Sequence, residues 1–324
     1  MKKLYPLFLS GVTKSPIWGG TRLPREWNKC APDGGTVGES WELTVREKEM
    51  SVIQNGTLAG GTVDELMRDC PDELMGKTAL PGGEFPLLIK FIDAADRLSV
   101  QVHPDDTYAA RIENDRGKTE MWYIVDANED AEIICGLVDG IDNAAFCTAL
   151  RKGHLMSVLK TQKVRAGETY FIPAGLPHAI GKGILIAEIQ QNCDLTYRVY
   201  DYDRRQADGS LRQLHIDKAC DVIRPFEKEE IDAIRYSRVL PASRENVLAD
   251  CDYFRVEKLD LCQNAHTLSQ NGYLCHLLSI SGKGQIEYNG TTYSFSRGDS
   301  VLLPACLENV TLMGTGTVLI STAY

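Results

Sequence analysis

The sequence predicts a mainly β protein of the sandwich or barrel kind, made of two related units with a small helical insertion. Three observations carry that expectation. Short runs rich in Val, Ile, Tyr and Phe alternate with Gly, Pro, Asn and Asp at the roughly 8–12-residue spacing of such folds. Helical patterns are few. A segment also recurs: AGETYFIPAGLPHAI (166–180) and RGDSVLLPACLENVT (297–311) align at an offset of 131 residues. Both read Gly, an acidic residue, Ser or Thr, three apolar or aromatic positions, Pro-Ala, one residue, then Leu. Such self-similarity reads as two copies of one structural unit. The polar stretch KEEIDAIR (228–235) reads as a linker, dividing the chain into 1–228 and 229–324.

In chain order, the first expected helix is TVDELMRD (62–69), where Thr62 and Glu65 have the spacing of a capping box. PLLIKFID (86–93) is a strand that returns through the turn AADR as LSVQVHP (98–104). DDTYAARIEN (105–114) is a helix capped by Asp105 or Asp106. The next strands are EMWYIVDA (120–127) and AEIICGL (131–137). DNAAFCTALRKGHLMSVLK (142–160) is the helical insertion, with Phe146 and Leu150 four apart and a break at Gly153. TYFIPAG (169–175) and ILIAEIQQ (184–191) are strands, and DKACDVIRP (217–225) is a short helix stopped near Pro225. The strands YLCHLLSISG (273–282), GQIEYNG (284–290), TYSFSRGDSVLLPA (292–305) and TVLISTAY (317–324) complete the second unit.

A chain of 324 residues with 25% charged residues is long enough for a sizeable core. Its net charge of −10 and lack of a basic face argue against nucleic acid or an anionic membrane as partner, but not against a small phosphorylated ligand. The start MKKLYPLFLSG imitates a signal peptide only loosely, because Pro6 interrupts a short apolar part. No apolar run approaches a membrane span. Ten cysteines without a C-x-x-C pair read as reduced thiols and a cytoplasmic protein.

Four residues are candidate metal ligands: Gln101, His103, Glu120 and His178. Gln101 and His103 lie two apart in a strand and so share one face; the alternative is a half-exposed strand with polar residues outward. Glu120 opens its strand, and His178 follows a Pro-Ala-Gly turn. Two imidazoles, a carboxylate and an amide oxygen suit zinc, and also manganese, iron or nickel. Lys90 stands within an apolar strand, either snorkelling at its end or facing a pocket where it acts as a base. Lys118 precedes Glu120 by two and shares its face. Asp194, Thr196 and Arg198 share a face if 192–204 is extended, as an ordinary salt bridge or as a phosphate-binding group. In the second copy of the repeat Asn309 stands where the first has His178, so that unit is expected to be metal-free.

Taken together, LSVQVHPDD (98–106), GKTEMWYI (117–124), FIPAGLPHAI (171–180) and EIQQNCDLTYRVYDYDR (188–204) resemble type I phosphomannose isomerase in its short bacterial form; PIWGG (16–20) and VGESWELT (37–44) are also typical. The resemblance implies two cupin (double-stranded jelly-roll) domains, 1–228 catalytic and 229–324 metal-free. It implies one zinc ion per chain on Gln101, His103, Glu120 and His178. It also implies interconversion of mannose 6-phosphate and fructose 6-phosphate through a cis-enediol. Lys90 matches the family lysine proposed as base, and Lys118 a lysine beside the ligand glutamate. Asp194 and Arg198 match an acidic residue and an essential arginine, and Ser99 a serine by the pocket. Longer relatives often carry His where this chain has Gly117, so a proton-transfer role for that His does not carry over. The expected catalytic residues are thus Arg198, Lys90, Lys118 and Asp194, with Ser99, Arg198 and Lys118 binding substrate. The expected partner is a small sugar phosphate, and the expected assembly a monomer or homodimer. An iron dioxygenase on the same scaffold and a non-enzymatic sugar-phosphate sensor are the alternatives.

Overall fold

Strands Glu120–Ala127 and Ile184–Gln191 form over the residues expected and pair with each other at the centre of a six-stranded antiparallel sheet. Its strand order is Thr169–Ile172, Glu120–Ala127, Ile184–Gln191, Leu87–Ala94, Glu39–Leu43, Val12–Lys14. A second sheet of five strands runs Leu159–Lys163, Glu132–Leu137, His178–Ile180, Val100–Val102, Tyr197–Tyr200. The two pack face to face around Ile92, Trp122, Ile124, Ile133, Ile180 and Ile186, giving a jelly roll. The computed structural model describes residues 3–46, 49–206, 208–239 and 243–324. Met1 and Lys2 of the signal-like start therefore lie outside the described residues.

The six-stranded sheet is covered on both faces. Leu87, Ile89, Phe91, Met121, Tyr123, Leu185 and Ile189 point away from the jelly-roll interior and pack on Phe254, Val256, Leu278, Leu302 and Leu319 of the C-terminal unit. That explains why Leu87–Ala94 and Ile184–Gln191 are buried at every position and lack polar alternation. The alternate residues Lys90, Glu120 and Glu188 face the interior.

The C-terminal unit is one ten-stranded sheet that winds around Leu277, Ile286, Phe295, Val301 and Val318. Its long strand Asn309–Ala323 pairs with Phe254–Cys262, His266–Ser269, Cys275–Ser279 and Lys283–Tyr288. The sheet also contains N-terminal chain: Leu7–Ser10 pairs with Ser300–Leu303 and with Val52–Ile53. The repeat reappears in three dimensions. Thr169–Ile172 followed by His178–Ile180 corresponds to Ser300–Leu303 followed by the strand opening at Asn309.

The helices are short and capped. Thr62 and Glu65 exchange both capping-box bonds at Val63–Asp69. Asp105 caps Asp106–Ile112, and Asp142 caps Asn143–Arg151 of the insertion. The segment expected as a linker is itself helical, Lys228–Arg235, because Ile231 and Ile234 pack on the core between the units. Among the described residues no helix is long and apolar enough to cross a membrane.

Candidate metal centre and active site

His178 pairs with Gln101 in register across two strands of the five-stranded sheet. His103 lies just beyond the end of the Gln101 strand, and Glu120 opens a strand of the facing sheet. Donor atoms of His103, Glu120 and His178 all lie within 4.8 Å of one another, and all three residues are buried. His103 Nε2 and His178 Nε2 each stand 3.5 Å from a Glu120 oxygen. The Gln101 amide end is 3.3 Å from His178 Nε2, and turning it over presents its oxygen. Ligands of a tetrahedral zinc at about 2.0–2.1 Å stand ~3.3–3.4 Å apart, so this donor set fits such an ion.

The surroundings hold the donors in the required state. His103 Nδ1 donates to Leu195 O and His178 Nδ1 to Leu176 O, both at 2.8 Å. Each ring is thereby fixed with the Nε2 lone pair aimed inward. Burial, helped by the Lys118 charge, drives the His103 pKa down to about 3, so the ring is neutral. Burial alone would raise the Glu120 carboxyl, but the Lys118 charge beside it works the other way and the group is held well below the ordinary carboxylate value. His103 Nε2 and both Glu120 oxygens have no hydrogen-bond partner, although Lys118 Nζ lies 3.0 Å from Oε2 without the alignment of a bond. Buried acceptors left this way are costly unless a cation takes them up.

Gly117 has a steric reason to be glycine. A Cβ there would lie 2.4 Å from Asp106 N and 2.9 Å from Asp105 Cα. The close approach lets Gly117 N reach Asp106 Oδ1 at 2.8 Å and Lys118 N reach Pro104 O at 3.0 Å. These bonds tie the loop before Glu120 to the turn after His103.

Beside the metal centre opens a pocket of about 260 Å³, near the small end for ligand sites. Gln101, Lys90, Lys118, Ser99, Asp194 and Arg198 all line it. Arg198 pairs with Gln101 across the strands and donates Nε to Ser99 Oγ at 3.2 Å and Nη1 to Gln213 O at 3.1 Å. The extended segment expected over 192–204 begins as a strand only at Tyr197, with Asp194 and Thr196 in the preceding loop. The ordinary Asp194–Arg198 salt bridge does not form among the described residues; Asp194 Oδ1 lies 3.8 Å from Lys90 Nζ instead.

Lys90 faces the pocket and is not snorkelling. Its ammonium lies 3.4 Å from Glu188, 3.7 Å from Glu39 and 4.8 Å above the Trp41 ring. Burial pulls its pKa down, but the carboxylates of Glu188, Glu39 and Asp194 outweigh burial and hold it above the ordinary lysine value. That environment works against the expectation of a neutral Lys90 acting as base. Sequence reasoning missed Glu188, which is buried on the same inward face. Its Oε2 accepts from Trp122 Nε1 at 3.1 Å, and Oε1 has no hydrogen-bond partner. Burial, with Glu120 nearby, raises its pKa.

The second unit offers different chemistry at the matching positions. Its registers set Asn309 opposite Ser269 and Leu303 opposite Cys275, where the first unit has His178 opposite Gln101 and Ile172 opposite Glu120. Asn309 Oδ1 accepts from Ser269 Oγ at 2.6 Å. His276, one residue past Cys275, bonds Ser300 Oγ at 2.7 Å.

Fold and site together define a two-cupin protein with one buried metal-type donor cluster among the described residues. Residues 7–148 match the family "Phosphomannose isomerase type I, catalytic domain", and residues 244–323 match "Mannose-6-phosphate isomerase, cupin domain". Mannose-6-phosphate isomerase ManA of Bacillus subtilis (strain 168) is 40% identical over 318 residues, 98% of each chain. Mannose-6-phosphate isomerase of Streptococcus mutans is 37% identical over 305 residues, 94% of each. The crystal structure of mannose 6-phosphate isomerase from Bacillus subtilis superposes with a TM-score of 0.84 at 34% identity, covering 98% of this chain and 99% of that one. The chain belongs to the type I phosphomannose isomerase family and is an isomerase. That membership replaces the dioxygenase and sensor alternatives.

Proposed function

We propose that this isomerase interconverts mannose 6-phosphate and fructose 6-phosphate by proton transfer between carbons 2 and 1 of the open-chain sugar, through a cis-enediol. Zinc is the ion the donor set suits, one per chain, held by Gln101, His103, Glu120 and His178. When bound, the ion supplies Lewis-acid polarisation of the carbonyl that makes the adjacent proton acidic. The observation that carries the reading is the pairing of two features. Inward-facing, tautomer-fixed donors lie at one end of the pocket, and at the other lies Arg198, which has no carboxylate within ion-pair distance among the described residues.

The remaining groups divide the work. Arg198, with Ser99, binds the phosphate. Glu188 takes the proton from one carbon and returns it to the other. A carboxylate whose Oε1 accepts no hydrogen bond, raised by burial, is better matched to that task than an ammonium surrounded by three carboxylates. Lys90 stays charged and keeps Glu188 oriented. Lys118 neutralises Glu120 and donates toward the sugar oxygens. Asp194, half-exposed at the mouth, accepts from the sugar during ring opening.

Metal content by elemental analysis, with a coupled mannose-6-phosphate assay before and after chelation, tests the reading. One zinc per chain, with activity lost on chelation and restored by zinc, supports it. Full activity in the metal-free protein overturns it.

A further inference from the structure

The pocket carries a second arginine that neither the sequence motifs nor the family resemblance singles out. Arg212 lines it together with Arg198. It comes from a loop that leaves the five-stranded sheet after Tyr200 and returns where His215 N donates to Arg198 O at 2.7 Å. Arg212 reaches the pocket because Asp201 holds it there. Arg212 Nε donates to Asp201 Oδ2 at 2.7 Å, and Nη2 donates to Oδ1. This side-on grip uses one edge of the guanidinium. Nη1 and the second hydrogen of Nη2 form the other edge, the geometry that takes a phosphate in bidentate fashion.

Asp201 is itself buried and also accepts from Arg204 Nη2 at 2.6 Å. Arg204 is spent on structure, since its Nη1 donates to Arg97 O at 2.6 Å. Arg204 and Arg212 thus share the Asp201 carboxylate, Arg204 also lies 3.7 Å from Asp96, and Arg198 beside them has no carboxylate within ion-pair distance among the described residues. The positive charge left over lies at this end of the pocket, where Arg198 and Arg212 converge. At the metal end, Lys90 and Lys118 are matched by Glu39, Glu188, Asp194 and Glu120. Crowding is felt at Arg198, whose pKa is lowered by burial and by its two arginine neighbours. Ser99, which fixes Arg198, stands two residues before Gln101, just ahead of the strand Val100–Val102, and so draws the Arg198 side chain away from the ligand its backbone faces. An anionic group bound here is held apart from the reacting carbons.

We propose that Arg212 is a second phosphate-binding arginine, positioned by Asp201, and that the Arg198–Arg212 pair sets the preference for a phosphorylated over an unphosphorylated sugar. The inference rests on the reading of this pocket as a sugar-phosphate site.

The test uses zinc-loaded full-length protein: wild type, Arg212→Ala, Arg212→Lys and Asp201→Asn. Two quantities are read, the dissociation constant of inorganic phosphate by calorimetry and the kcat and KM for mannose 6-phosphate. Losing a charge-assisted bidentate contact should weaken phosphate binding by about 10- to 100-fold in Arg212→Ala. KM for mannose 6-phosphate should rise by a similar factor, much more than kcat falls. Arg212→Lys should recover part of both, because it keeps the charge and loses the fork. Asp201→Asn should move KM in the same direction by less. Zinc content and melting temperature, measured on every variant, separate this from misfolding. Phosphate affinity and KM within twofold of wild type in Arg212→Ala would overturn the proposal, as would a loss confined to kcat. A wild type that binds phosphate, loses it in Arg212→Ala, yet does not turn over mannose 6-phosphate would uphold Arg212 and sink the proposed reaction.

Discussion

Glu188 and Lys90 stand directly opposite each other on two neighbouring strands at the middle of the six-stranded sheet, with 3.4 Å between Oε1 and Nζ. Both side chains are 4% exposed, so neither charge is shared with bulk water. Removing Lys90 leaves the Glu188 carboxylate buried without its ion-pair partner, which is a strong perturbation, whereas removing Glu188 leaves Lys90 with Glu39 and Asp194.

The pair can be dissected by substitution. Replacing Glu188 by Gln keeps the shape and removes the base, and kcat should fall by about 10²–10⁴-fold with zinc still bound. Lys90→Gln should cost less, because it disorients the carboxylate without removing it. Single-turnover kinetics on both variants check the order. A larger loss in Lys90→Gln returns the base role to Lys90.

Chelation should lower the melting temperature as well as the activity, because an ion bound only by the folded chain stabilises it, by about 4 kcal/mol at a thousandfold over its dissociation constant. In His178→Ala the chelator should leave the melting temperature unmoved. Thermal scans with and without chelator make the comparison.

Arg198→Ala should lower kcat/KM for mannose 6-phosphate by about 10²-fold or more while one zinc per chain is retained. Near-normal turnover in that variant would remove Arg198 from the substrate site.

His276 makes a prediction about acid stability. Ser300 Oγ donates to Glu42 O, so it must accept from His276 Nε2, which leaves Nδ1 bare and without a partner. Burial drives the ring's pKa from 6.5 to about 3. Between those values the unfolded chain binds the proton and the folded chain does not, so stability falls as pH falls across that window. Full stability from this group is present above its unfolded value. His276→Gln keeps a donor to Ser300 and cannot titrate. It should flatten the slope of unfolding free energy between roughly pH 4 and 6 by about 1.4 kcal/mol per pH unit. Urea titrations at several pH values measure it.

Phe91 tests the shared sheet. It is fully buried on the face that meets the C-terminal unit, with its ring 4.7 Å from that of Trp27. Phe91→Ala should cost about 3–5 kcal/mol. Its phosphate affinity should stay near wild type, since the side chain points away from the pocket.

How legible the molecule was depended on what each strand faces. Val100–Val102 alternates cleanly, so Gln101 and His103 stood out, and turn residues bounded His178. The repeat was readable because the Gly-acid turn and the Pro-Ala turn are local chemistry. The strands before residue 54 were not anticipated. They run two to five residues, and Glu39–Leu43 buries Ser40 and Glu42 where a pattern reading expects solvent. Glu188 escaped notice because its strand is buried on both faces, and one carboxylate in a continuous run gives no sign of which face it takes. The charge state of Lys90 was beyond local reading altogether. It is decided by Glu188, 98 positions later, and by Glu39, 51 positions earlier.

The pairing of Leu7–Ser10 with Ser300–Leu303 has a consequence for the order in which the protein is made. Of the two strands that flank Leu7–Ser10, Val52–Ile53 follows after about 40 residues, whereas Ser300–Leu303 follows only after about 290, roughly 15–60 s later at ordinary elongation rates. Through that interval Leu7 and Leu9, core residues in the finished molecule, have one of their two strand neighbours and lack the other. One edge of that strand therefore stays unpaired until the C-terminal unit has been made.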